Sequence, residues 1–197
     1  IPPKVWLLSP KLRSLDLSNN LLETLPPEIG KLLKLHTLKL DGNRLRSLPT
    51  ELSKLAALKT LTAARNGLRS VPVLPKKLSV IDLSQNRFSG EVGHPVLALP
   101  AGATTCDLSG NQITGLGASF GFEALKHLEE LNLDSNRLAT LPGAMGQLRK
   151  LTCLKVRHNC LSAVPTPVCV VEHCVGIHTM SPVTRSCYTA SCCATRS

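Results

Sequence analysis

The sequence predicts an α/β solenoid: a curved stack of repeats, with a parallel β-sheet on the concave face and short helices, 3₁₀ turns or extended segments on the convex face. Three observations lead there. An eleven-residue string of the form LxxLxLxxNxL, with other apolar residues replacing some leucines, occurs seven times, starting at residues 12, 35, 58, 78, 103, 128 and 151. The spacings between starts, 23, 23, 20, 25, 25 and 23 residues, are near-regular, and a period of this length marks stacked supersecondary units. Every copy carries an asparagine at its ninth position, forming the column Asn20, Asn43, Asn66, Asn86, Asn111, Asn136 and Asn159.

The clearest copy is LEELNLDSNRL, from Leu128 to Leu138. In each copy the xLxL segment reads as one short parallel strand, because strand side chains alternate between faces. Leucines at positions 1, 4, 6 and 11 then point into the stack, and the residues between them point out on the concave side. An inward asparagine where a strand ends can bond backbone groups left unpaired there. Seven of them in step form a structural ladder and not a set of unrelated turn residues.

The chain begins inside a repeat. Ile1, Pro2, Pro3 and Val5 take the places of Leu25, Pro26, Pro27 and Ile29 in the first full return. An array needs capping units at its ends, so the reading is a fragment, or an array whose cap lies upstream. Three returns, LETLPPEIGKLLKL, LRSLPTELSKLAAL and LATLPGAMGQLRKL, share the pattern LxxLPxxhxxL, where h is apolar. The proline suits the first turn of a short helix or 3₁₀ segment. The pairs Ile29/Leu32, Leu52/Leu55 and Met145/Leu148 are spaced to face inward together. The third return, SVPVLPKK, is short and reads as extended. The fourth and fifth are longer, with Phe88, Phe120 and Phe122 filling the wider convex space. Ala63, Ala103 and Cys106 stand where leucine is expected, which makes repeats three and five the softest. The domain division is a repeat region at 1–165 and a Cys/Ser/Thr-rich tail at 166–197. The tail has no leucine and is expected to be poorly ordered. Its cysteines do not fit the usual C-x2-C metal pairs.

Composition narrows the function. The net charge is +10, but residues 1–80 hold fourteen Lys/Arg against five Asp/Glu, and residues 81–148 hold three against seven. No run approaches the roughly 18 apolar residues of a membrane span. Five of the eight cysteines lie in the tail, and no Asn-x-Ser/Thr sequon occurs. The expected compartment is the cytoplasm, with reduced thiols.

These motifs resemble the leucine-rich-repeat family over residues 1 to about 164. The LPxxIGxL returns are most similar to the intracellular subclass that includes Ras-pathway scaffold proteins and their plant relatives. The resemblance implies a curved solenoid and a protein-binding role.

The leading function is therefore a non-catalytic scaffold or adaptor that binds another protein on its concave face, as a monomer, with no cofactor, metal or small-molecule substrate. The outward candidates form an acidic centre, Asp82, Asp107, Glu129, Glu130 and Asp134. Basic flanks surround it: Lys39 and Arg65 before, Lys155 and Arg157 after. A partner of opposite pattern would be steered to such a face. The alternative is an anionic surface, nucleic acid or membrane, bound through the basic N-terminal half. Its Lys and Arg are read as dispersed over convex and concave positions, and few aromatics are available to stack on bases. An enzyme is not expected: Cys153, His158 and Cys160 lie close in sequence, but no acidic residue follows to orient the histidine.

Overall fold

The computed structural model describes residues 11–93, 97–117 and 120–162. The half repeat at 1–10 and the tail at 166–197 lie outside them, and so do the readings of an upstream cap and a disordered tail.

Seven three-residue strands form the main sheet: β1 (Ser14–Asp16), β2 (Thr37–Lys39), β3 (Thr60–Thr62), β4 (Val80–Asp82), β6 (Thr105–Asp107), β8 (Glu130–Asn132) and β9 (Cys153–Lys155). They pair in parallel in that order, one strand per repeat. The register never slips: Leu15, Leu38, Leu61, Ile81, Cys106, Leu131 and Leu154 are successive partners. This is the fold class the repeat period predicts. Each strand is too short to be stable alone, so the sheet depends on what lies beneath it.

What lies beneath is leucine. The fourth-position residues from Leu38 to Leu154 are buried, as are the sixth-position residues Leu40, Ala63, Leu83, Leu108 and Leu133. Fully burying a leucine contributes about 1.5–3 kcal/mol. Toward the start of the array Leu12, Leu15, Leu17 and Leu22 are only partly covered.

The three LxxLP returns form 3₁₀ helices at Pro27–Lys31, Thr50–Lys54 and Gly143–Gln147. The shared proline sits one residue ahead of each helix, as Pro26, Pro49 or Pro142 in extended conformation, and not inside the first turn. Each helix then closes with the N–H of Leu32, Leu55 or Leu148 donating three residues back. Both residues of each inward pair are buried. The third return has no helix or strand.

The fourth and fifth returns hold an element the periodicity did not announce. Residues Ser89–Val92 (β5) and Gln112–Leu116 (β7) pair in parallel as a second, two-stranded sheet. The register jumps between Gly90 and Glu91. β5 begins one residue after the eleventh template position of its repeat, and β7 one residue before it. The repeats starting at 78 and 103 each span 25 residues, so their outgoing segments run side by side long enough to pair. Phe88, Phe120 and Phe122 are buried under this region, and the rings of Phe120 and Phe122 pack with centroids 5.0 Å apart. Among the described residues no helix is long and apolar enough to cross a membrane.

Candidate functional site

The strict register turns the concave side chains into rows. One row runs Ser14, Thr37, Thr60, Val80, Thr105, Glu130, Cys153, and the next runs Asp16, Lys39, Thr62, Asp82, Asp107, Asn132, Lys155. Seven strands about 4.8 Å apart give a face about 30 Å across. That is wide enough for a standard interface of about 800 Å² per partner. Asp82 and Asp107 are direct partners across β4 and β6, and Lys155 follows two strands on. Glu130 lies in the neighbouring row on β8 and is exposed. Glu129 precedes β8 and sits at the edge of the face, as does Arg65, which lies in the turn beyond β3. Lys39 is exposed and pairs with Asp16 at 3.8 Å. Lys155 and Arg157 are exposed on the last described repeat.

The aspartates have a second role that their outward position did not suggest. Asp16, Asp82 and Asp107 each accept the backbone N–H two residues on, from Ser18, Ser84 and Ser109, at 2.8–3.0 Å. Asn132 does the same for Asp134. In repeats three and seven the fifth position is Thr62 or Lys155 and gives no such bond. There the seventh-position N–H is taken by the preceding repeat: Asp41 accepts from Ala64 at 2.8 Å, and Asp134 accepts from Arg157 at 2.6 Å. Asp107 also accepts from the Asn132 amide at 2.8 Å. A carboxylate thus closes the end of most strands, and Asp82, Asp107 and Asp134 are half-buried for that reason. The Ser18 backbone N–H, and then Lys39, hold the Asp16 carboxyl below the usual 3.8.

Beneath the rim runs the asparagine ladder. Each amide from Asn43 to Asn136 donates to two carbonyls of its own repeat and one of the preceding repeat. Asn159 follows the same pattern. Their side-chain oxygens accept the N–H groups of Leu22, Leu45, Leu68, Phe88, Ile113 and Leu138 in turn. Asn20, at the start, is exposed and bonds only within its own repeat among the described residues.

The residue just before each ladder asparagine has positive φ in all seven repeats: Asn19, Gly42, Arg65, Gln85, Gly110, Ser135 and His158. This left-handed step swings the asparagine inward. Glycine and asparagine adopt it readily, whereas arginine, glutamine and histidine do so at a cost. Residue type marks the position only at Asn19, Gly42 and Gly110, so the column as a whole is not legible in the sequence.

A shallow dent on the concave face is lined by residues of β6, β8 and β9, including Cys153, Glu130 and Lys155, with His158 outside it. The sequence neighbours Cys153 and His158 therefore do not share that dent. Burial, with Asp107 and Asp82 adding to it, pushes the Cys106 thiol far above its ordinary value. Among the described residues no three His, Cys, Asp or Glu side chains gather as a metal site would require.

A family model described as leucine rich repeat matches residues 10–68 and 103–161. Among solved structures, an internalin from Listeria monocytogenes matches with a TM-score of 0.72 and 19% identity, over 90% of this chain and 50% of that one. YopM, a leucine-rich effector protein from Yersinia pestis, matches with a TM-score of 0.63 and 33% identity, over 78% of this chain and 38% of that one. In sequence, 62 residues are 39% identical to a probable serine/threonine-protein kinase, roco8, of Dictyostelium discoideum; they are 32% of this chain and 3% of the kinase. The chain spans half or less of the length of each of these proteins.

Proposed function

The chain belongs to the leucine-rich-repeat family, and from that premise we propose that it is a non-catalytic scaffold or adaptor whose concave face binds another protein. The observation that carries this reading is the banded charge of one continuous in-register face. Asp82, Asp107 and Glu130 stand at its centre, and Lys39, Lys155 and Arg157 stand toward its ends. Such banding fixes where along the array a complementary partner can settle, because shifting by one or two strands sets like charges against each other. The backbone bonds of the aspartates support the same reading. Held carboxylates are pre-organised, so less side-chain freedom is lost when a partner docks.

The matched stretch of the kinase lies within the repeat region, so its catalytic title does not transfer to this chain. We infer a cytoplasmic setting and an intracellular subclass from the LPxxIGxL returns and the cysteine usage.

The test is capture with the full chain as bait, followed by lysine acetylation of the free and bound protein. Protection of Lys39 and Lys155 on binding, with Lys31 and Lys54 of the convex helices still modified, supports the proposal. The reverse pattern places the partner on the convex side.

A further inference from the structure

We propose that the edge of the array where the strands begin is a docking surface for an acidic membrane, held by a level row of lysines and arginines around an exposed leucine. This surface borders the concave face at Glu129 and does not depend on that reading.

The strand-start edge is itself a hydrogen-bonded row. The second residue of each repeat donates its N–H to the carbonyl of the second residue before it, from His36 onto Arg13 through Lys59, Ser79, Thr104 and Glu129 to Thr152. With no slip in register all seven strands start level, so residues flanking this row can meet a plane together. The basic residues are dispersed along the sequence, and the structure gathers many of them here. Arg13 and Lys59 lie in the row itself. Lys11, Lys34, Lys77 and Lys150 immediately precede their repeats, and Lys76, Lys126 and Arg149 come one residue earlier. Across the same positions Glu129 is the one carboxylate among the described residues. All nine cations are exposed, and among the described residues none of them is ion-paired. Lys150 instead lies 3.5 Å from the His127 ring.

Two observations select a lipid surface over another polyanion. Leu33 lies on this edge beside Lys34 and is 61% exposed. An apolar side chain among cations suits the boundary between headgroups and acyl chains, and has no counterpart in a sulfated or phosphorylated polymer. Nucleic acid would call for stacking aromatics, yet among the described residues the aromatic side chains, Phe88, Phe120 and Phe122, are all buried. Juxtamembrane cations are drawn to anionic lipid in proportion to their number. Docked by this edge, the array would leave its concave face open to the side.

The test is co-sedimentation of the full chain with phosphatidylcholine vesicles, with and without phosphatidylserine. The expected result is binding that needs phosphatidylserine and weakens with salt. Lys34→Glu, Lys77→Glu and Lys150→Glu together should reduce it by about tenfold or more. Arg44→Glu, Arg69→Glu and Arg137→Glu, exposed beyond the other ends of the strands, make the same charge change and should retain it. The corresponding glutamine set at 34, 77 and 150 serves if the glutamate set loses its circular dichroism. Leu33→Ser should weaken binding several-fold with no change in charge. Equal loss in both triples would mean bulk charge alone and overturn the proposal. Leu33→Ser with unaltered binding, or retention on RNA or heparin without binding to the acidic vesicles, would overturn the lipid assignment.

Discussion

The side-chain oxygen of Asn111 accepts the backbone N–H of Phe88, 23 residues earlier, at 3.1 Å. The same amide donates back to the carbonyl of Leu83 at 3.1 Å. One buried side chain therefore joins two repeats through backbone groups that leucine packing alone would leave unpaired. Asn111→Ala should lower stability by about 3 kcal/mol, since each orphaned buried group costs about 1–3 kcal/mol. Asn20→Ala, at an exposed position with bonds only inside its own repeat, should cost under about 1 kcal/mol. Chemical denaturation of the two variants checks the contrast. Equal losses would mean that the cross-repeat bonds do not stabilise the array.

The left-handed column predicts an asymmetry. Gln85 has φ 51°, and relieving a left-handed non-glycine residue is worth about 1–2 kcal/mol. Glycine also loosens the unfolded chain by up to about 1 kcal/mol. Gln85→Gly should therefore stabilise by about 0.5–1 kcal/mol net. Gly42→Ala should destabilise, because φ is +63° and the new Cβ would sit 2.6 Å from the Asn19 side-chain oxygen. Thermal melts with these two signs reversed would contradict the column.

Asp41 ties the second repeat to the third through the N–H of the buried Ala64 and the hydroxyl of Thr62. Asp41→Asn keeps an acceptor oxygen, whereas Asp41→Lys removes it. The lysine variant should be less stable than the asparagine variant by about 1–3 kcal/mol. Equal melting temperatures would make the bond a bystander.

At Asp16 the folded-state pKa is depressed. Its stabilising contribution is present above the unfolded carboxylate range and fades as pH falls through the folded value. A chemical-shift titration of Asp16 should show a midpoint below 3.8. A midpoint at or above that value would contradict the Ser18 contacts.

The thiols should differ in reactivity. Cys106 is buried with its thiol pushed upward, while Cys153 is half-exposed. A thiol reagent at neutral pH should modify Cys153 in the folded protein and reach Cys106 only on unfolding, because the thiolate is the reactive form. Comparable rates at both sites would contradict the burial of Cys106.

What was legible in the sequence is what the backbone repeats. Leucine spacing fixed the strands, the asparagine spacing fixed the ladder, and the LxxLP pattern located three 3₁₀ helices to within a residue. The β5–β7 pair escaped because its strands, SGEV and QITGL, are partly polar and glycine-bearing. It forms where two successive repeats are each 25 residues long, a length that residue type does not turn into a strand. The concave aspartates were found as charges and missed as strand-end acceptors, since an outward carboxylate looks the same in sequence whether it meets water or the next N–H. The basic edge was hidden for a simpler reason. Its residues are spread along the chain and meet only once the repeats stack in step.

The most direct test of the concave-face proposal is capture of the partner by two charge-matched double variants. Glu129→Lys with Glu130→Lys alters the acidic centre at two exposed side chains. Glu23→Lys with Glu123→Lys makes the same change at exposed residues of the return segments. Exposed substitutions of this kind usually shift stability by about ±0.5 kcal/mol, so both proteins should fold. The account predicts that the first loses the proteins captured by the unaltered chain and that the second keeps them. Retention by the first, or equal loss in both, would contradict it.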